Sequence, residues 1–203
     1  MWETFFDIET KSWFDETGTS DPSDLGVSVV SVYHRQVDPQ TGFEITGEMS
    51  SFWEHQLPDM WSLFRQADRI IGFNSLGFDV PVLRPYSPAD FPKWPHFDIM
   101  DEVKKIVGRR VGLNAFAKDT LGRSKTDEGV NAVVYWQKGD DQSLKLLKSY
   151  CEADVTLTRD IYDFAMKNKH LKYTDHWNNP RIIPVNFSYP QDFSPTSKQP
   201  SLF

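Results

Sequence analysis

Carboxylates sit inside apolar sequence at three widely separated places. Asp7 and Glu9 lie within Phe5-Phe6-Asp7-Ile8-Glu9-Thr10, Asp79 closes Phe73-Asn74-Ser75-Leu76-Gly77-Phe78-Asp79, and Asp154 closes Tyr150-Cys151-Glu152-Ala153-Asp154. An ionised carboxylate withdrawn from water is costly unless a partner or a metal compensates it, so repeated acids of this kind need an explanation. Four acids of mixed Asp and Glu type, without a histidine or cysteine partner, suit hard oxygen-binding cations, Mg²⁺ or Mn²⁺, rather than zinc. Two such ions about 3.5–4 Å apart activate a water and stabilise the leaving oxygen of a phosphodiester. The expected chemistry is metal-assisted phosphodiester hydrolysis at one shared site, with Tyr150 orienting the water.

Such a site needs elements that bring the acids together. Residues 2–10 are short, apolar and aromatic, which predicts a strand, and on a strand Asp7 and Glu9 project to one side while Phe6 and Ile8 project to the other. Taken alone, that pair also reads as a solvated strand face. The β-branched run over 27–37 and its continuation over 42–53 predict two more strands, with a connecting loop over 13–24. Pro58 opens a helix over 59–67, and a short strand over 69–73 follows it. Asp79 stands where that strand gives way to a helix over 79–85, a place where capping the helix is an equally good use of an aspartate.

A strand over 96–99 then enters a helix over 100–107; further helices are predicted over 113–121, stopped by Gly122, and over 131–137. The longest helix runs from Asp141 as N-cap to about residue 167. Its residues Leu147, Tyr150, Asp154, Leu157, Ile161 and Phe164 recur at alternating spacings of three and four, one inward face. Asp154 therefore belongs to an apolar stripe, next to Tyr150 one turn earlier, and either a hydrogen-bonded neighbour or a metal must hold it there.

Composition limits the alternatives. A chain of 203 residues with 39% hydrophobic content can bury one real core and is short for two domains. One cysteine excludes an internal disulfide framework and a CxxC zinc pair, which favours a reducing, cytoplasmic location. No apolar run approaches the roughly 20 residues of a membrane helix, and no basic-then-apolar leader opens the chain, so neither a membrane nor secretion is expected. The net charge of -7 argues against general coating of nucleic acid.

The order Asp-x-Glu, Asn-x-x-x-Phe-Asp and Tyr-x-x-x-Asp resembles the three exonuclease motifs of the DEDD superfamily in its tyrosine form, DEDDy. The wording is most similar to the 3′→5′ exonuclease domain of family B DNA polymerases, and it extends to Leu113-Asn114-Ala115-Phe116-Ala117 with Leu121-Gly122 and Lys125. The histidine branch would carry its base one position earlier, where this chain has Ser149. The resemblance covers roughly residues 1–168 and implies an α/β, ribonuclease H-like fold: a mixed central sheet flanked by helices, with the acids converging at one sheet edge. It implies that Asp7 bridges two metals, that Glu9 and Asp154 hold the nucleophile-side metal and Asp79 the other, and that Tyr150 and Glu9 position the water. Thr10, Asn74 and Phe78 fall at positions that support the terminal nucleotide, although Phe78 reads equally well as core. No polymerase region follows in this sequence, which implies a stand-alone nuclease or a subunit that works beside a polymerase.

Two further segments bear on partners. Residues 103–126 hold seven cations, Arg109, Arg110 and Lys125 among them, against Asp119 alone, a local net of +6 that reads either as a phosphate track or as an ordinary solvated face. Trp13, Phe14 and Phe78 are candidate stacking platforms for unstacked bases. After residue 168 the helical pattern dissolves and Pro180, Pro184, Pro190, Pro195 and Pro200 punctuate a polar stretch, so residues 169–203 are expected as an extended tail. The tail ends in Gln199-Pro200-Ser201-Leu202-Phe203, which is similar to the bacterial sliding-clamp binding motif. The resemblance implies Gln199 and Ser201 as polar contacts and Leu202 and Phe203 as apolar anchors. The reading is a metal-dependent 3′→5′ exonuclease acting on single-stranded DNA ends and tethered to a clamp. An exoribonuclease of the same fold and a non-catalytic clamp- or nucleic-acid-binding adaptor are the alternatives.

Overall fold

The computed structural model describes residues 1–123 and 131–190, with 193 and 195 beyond them. Lys125 and the terminal Gln199, Ser201, Leu202 and Phe203 lie outside the described residues. Strand β1 (Trp2–Thr10) is central: β2 (Val27–Val37) pairs with it antiparallel on one side, β4 (Arg69–Gly72) parallel on the other. With β3 (Glu44–Trp53) and β5 (His96–Asp98) at the edges, the sheet order is β3-β2-β1-β4-β5, a mixed sheet as expected.

The alternation along β1 sorts the core into two layers. Phe6 and Ile8 face helix α2 (Leu57–Gln66) and pack with Met60, Trp61 and Phe64, while Phe5 faces the opposite layer with Tyr33 and Ile71. That second layer consists of α4 (Ile99–Val107), α5 (Leu113–Leu121) and α7 (Asp141–Asn168). The shorter helices α1 (Phe14–Thr17), α3 (Asp79–Leu83) and α6 (Asn131–Lys138) border the same end of β1 as its acids. None of the described helices is long and apolar enough to cross a membrane.

The long helix α7 shows the predicted face, and more than that face is buried. Cys151, Val155, Thr158, Tyr162 and Ala165 join Leu147, Asp154, Leu157 and Ile161, because α7 packs against β1 and β2 on one flank and α5 and α6 on the other. Its N-cap is Asp140 rather than Asp141: the Asp140 side chain accepts from the Ser143 N–H at 2.9 Å, and one residue earlier is where the backbone leaves extended geometry.

The tail departs most from expectation. Residues 170–184 form a hairpin of β6 (His170–Thr174) and β7 (Pro180–Pro184), and Leu171, Tyr173, Ile183, Val185 and Phe187 are buried in the second core layer. The packed fold therefore extends past the boundary expected at 168. Two prolines bracket β7 without breaking it, because a two-stranded ribbon has a free edge where a missing N–H costs nothing.

Candidate metal centre

Three of the predicted acids converge. Asp7, Glu9 and Asp154 each place a carboxylate oxygen within 4.8 Å of the others'. Asp7 and Glu9 reach the point from β1, and the ladder with β2 shifts register just past Glu9, where Ser28 of β2 is the extra residue. Asp154 reaches it from α7 and is only 6% exposed. Three like charges this close repel one another in a region short of water, and an oxygen-only donor set of this kind fits a hard divalent cation.

Cys151 lies under the cluster and contributes no thiolate. Its Sγ donates to the Asp7 carbonyl at 3.4 Å, and burial, followed by the Asp7 and Glu9 charges, pushes the thiol well above its usual range. Glu152, the neighbouring acid, turns away, accepting from Ser51 Oγ at 2.8 Å.

Asp79 is beside this group rather than within its 4.8 Å limit. The parallel ladder between β1 and β4 ends at Phe5, and beyond it the Ile8 N–H of β1 is near enough to the Asp79 carboxylate to pull its pKa down. Ile8 separates Asp7 from Glu9, so the fourth acid lies by the backbone between the first two. Burial drives the Asp79 pKa up, its own N–H and that of Ile8 pull it down, and the Asp98 charge adds to the rise, leaving it at about 7.

Asp98 is the site residue that sequence reasoning missed. Its Oδ1 accepts from the N–H groups of Asn74, Met100 and Asp101, and its Oδ2 from Leu76 at 2.9 Å. One buried carboxylate thus caps α4 and fixes the loop that delivers Asp79. An aspartate between a predicted strand and a helix signals the cap, whereas the hold on a loop 24 residues earlier leaves no local trace.

The remaining predicted residues divide. Tyr150 sits one turn before Asp154, half-buried against Val29, Leu147 and Cys151 with Trp53, Tyr135 and Trp136 nearby. Thr10 Oγ1 donates to the Ser12 carbonyl at 3.0 Å and holds the turn after β1. Asn74 has a left-handed backbone, φ 65°, and its side chain folds over Gly77, where an added Cβ would meet its Oδ1 at 2.9 Å. Phe78 packs edge-to-face with Phe14 at 6.4 Å and also borders the α2 core layer. The basic run carries less free charge than its count suggests: Lys105 pairs with Glu102 and Arg123 with Asp160, while Arg109 bonds His176 of the hairpin without meeting an acid and Arg110 is exposed.

Comparison with known proteins agrees with this architecture. The sequence model of the RNase_H superfamily matches residues 4–166. Among solved structures, the family B DNA polymerase from the hyperthermophilic archaeon Pyrobaculum calidifontis superposes with a TM-score of 0.58 over 81% of this chain. The match spans 24% of the polymerase, and at 18% identity the likeness is one of fold. No protein of curated function matches the sequence.

Proposed function

The chain belongs to the RNase_H superfamily and carries its nuclease fold, and from that premise we propose that it is a DEDDy-type exonuclease releasing nucleotides 3′→5′ from single-stranded DNA. The observation that carries the reading is the convergence of Asp7, Glu9 and Asp154. Asp7, Glu9 and Asp154 would hold divalent cations, with Asp79 completing the set from the edge of β1. Two Mg²⁺ or Mn²⁺ ions, when bound, supply an activated water and neutralise charge on the scissile phosphate. The chain's own groups do the positioning. Tyr150 presents a hydroxyl one helical turn from Asp154, suited to orient the attacking water, and Asp98 keeps the Asp79 loop from drifting.

The decisive experiment incubates 5′-labelled single-stranded DNA and RNA with the protein and Mg²⁺, Mn²⁺ or a chelator. A stepwise ladder on DNA, absent with chelator and absent for Asp7→Ala, is the expected result. Shortening of RNA alone would transfer the activity to the exoribonuclease reading, and no metal-dependent shortening of either would sink the enzyme.

The role given to Asp98 makes a second prediction. Asp98→Ala frees four backbone N–H groups and removes a helix cap, a loss of about 1–2 kcal/mol on cap substitution alone. The rate of nucleotide release is expected to drop about tenfold or more at a temperature where the variant is still folded by circular dichroism. A folded variant with wild-type rate would show that the loop needs no such anchor.

A further inference from the structure

The superfamily region ends at residue 166, and the β6–β7 hairpin that follows it carries a surface with its own chemistry. At the hairpin tip, Trp177 is 69% exposed. It is not loosely placed. The Trp177 N–H donates to Asp175 Oδ1 at 3.0 Å, and the His176 ring lies against the indole with centroids 3.5 Å apart.

The stack continues inward. Arg109, from the turn between α4 and α5, sets Nη1 3.0 Å from His176 Nδ1 and its guanidinium 5.6 Å from the Tyr173 ring. Tyr173 is buried in the core, so the row Tyr173, Arg109, His176, Trp177 runs from the interior to solvent as four planar groups.

The turn is also pinned from within. Asp175 is buried, and its carboxylate is consumed by local donors: Oδ1 accepts from the N–H groups of Trp177 and Asn179, and Oδ2 from Arg181 Nε at 2.8 Å. Burial raises the Asp175 pKa, but the Asn179 N–H, Arg181 and the Trp177 N–H outweigh it and hold the group at about 2. Arg181 satisfies Asp175 with one nitrogen while half its side chain stays exposed. Arg109 and Arg181 are thus both held at the tip beside an exposed indole.

A protein-binding hot spot also favours tryptophan and arginine, but sets them in a well-packed pocket inside a ring of contacts that exclude water. Trp177 is flanked by two arginines and a histidine in a chain of net charge -7, the interleaving of cation and aromatic that single-stranded nucleic acid favours. We propose that the β6–β7 tip is a contact for single-stranded nucleic acid, in which a base stacks on Trp177 and His176 while Arg109 and Arg181 meet the flanking phosphates. It rests on the reading of the chain as a nuclease of single strands and adds a second point of engagement, built from other elements than the carboxylate cluster.

The test measures anisotropy of a fluorescein-labelled oligothymidylate titrated with full-length protein in chelator, so that binding is read without hydrolysis. Trp177→Ala is expected to weaken binding about tenfold or more, and Trp177→Phe to retain most of it. Arg181→Gln is expected to lower the slope of log affinity against log salt by about 0.7, one phosphate on a single strand. Because Trp177 is exposed, the fold survives its truncation, which circular dichroism verifies. Trp177→Ala with unchanged affinity, while the wild type binds and shortens the oligonucleotide, overturns the hairpin proposal alone and leaves the tip to a protein partner. A wild type that neither binds nor shortens it overturns the nuclease reading, and this proposal with it.

Discussion

Asp154→Ala is expected to lower metal-dependent nucleotide release by about a thousandfold, ~4 kcal/mol of barrier, without lowering the stability of the chelated protein. The two halves of that expectation have one cause. Asp154 sits 6% exposed with its carboxylate oxygen within 4.8 Å of those of Asp7 and Glu9, so the three acids crowd one another and a bound cation would offset that crowding. Removing one relieves repulsion in the chelated protein, which should melt at or above the wild-type temperature. Adding Mg²⁺ or Mn²⁺ reverses the ranking: a cation that binds only the folded state raises the wild-type melting temperature in proportion to its occupancy, and the variant should gain little. Melting curves with and without cation, beside a rate measurement on labelled DNA, therefore separate a ligand from a merely buried acid. A variant that keeps its rate within tenfold, or keeps the full cation-induced shift, would remove Asp154 from the centre.

The parts of the site that are legible in sequence are those that a single element encodes. Asp7 and Glu9 share a face because strands alternate, and Asp154 faces inward because the stripe on α7 includes it. Asp98 could not be read this way, since its value lies in reaching a loop 24 residues away. Pairing within the basic run was hidden for the same reason. Its excess charge is real in composition, yet the acid that meets Arg123 is on another helix, 37 residues on, and no window in the sequence joins them. In the fold, long periodic segments such as β2 and α7 were predictable, while β6 and β7 were not. Five-residue strands edged with proline look like linker until Leu171, Tyr173 and Ile183 find a core to enter.

Arg35→Met is expected to cost about 3–5 kcal/mol of folding stability in urea denaturation, the largest effect of any substitution outside the acid cluster. Arg35 is on β2 with its side chain buried, and it binds three acids at once: Nε donates to Glu3 at 2.8 Å, Nη1 and Nη2 form a fork on Asp163 at 2.9 and 2.6 Å, and Nη1 also reaches Glu44 at 3.4 Å. Burial alone would weaken its charge, but Asp163 and Glu3 overcome that and hold the guanidinium firmly protonated. Glu3 in turn accepts from the hydroxyls of Tyr162 and Tyr189, and Arg69 bonds Tyr162 and the Phe187 carbonyl. Strands β1 and β2, α7 and the segment after the hairpin thus meet at one charge cluster, in which Arg35 is 32 residues from Glu3 and 128 from Asp163. Methionine fills the space of the arginine stem but leaves the buried Glu3 carboxyl with the hydroxyls of Tyr162 and Tyr189 in place of its guanidinium partner, which is why the cost exceeds that of an ordinary core truncation. Glu3→Gln in the same chain removes the stranded carboxyl, so the double variant should recover part of the loss, with a coupling of about 2 kcal/mol or more between the two positions. The same clamp fixes α7 lengthwise on β1, roughly 13 Å along the helix from Asp154. A loss under about 1 kcal/mol for Arg35→Met, or strict additivity with Glu3→Gln, would mean that packing alone sets that register and the ion pair merely decorates it.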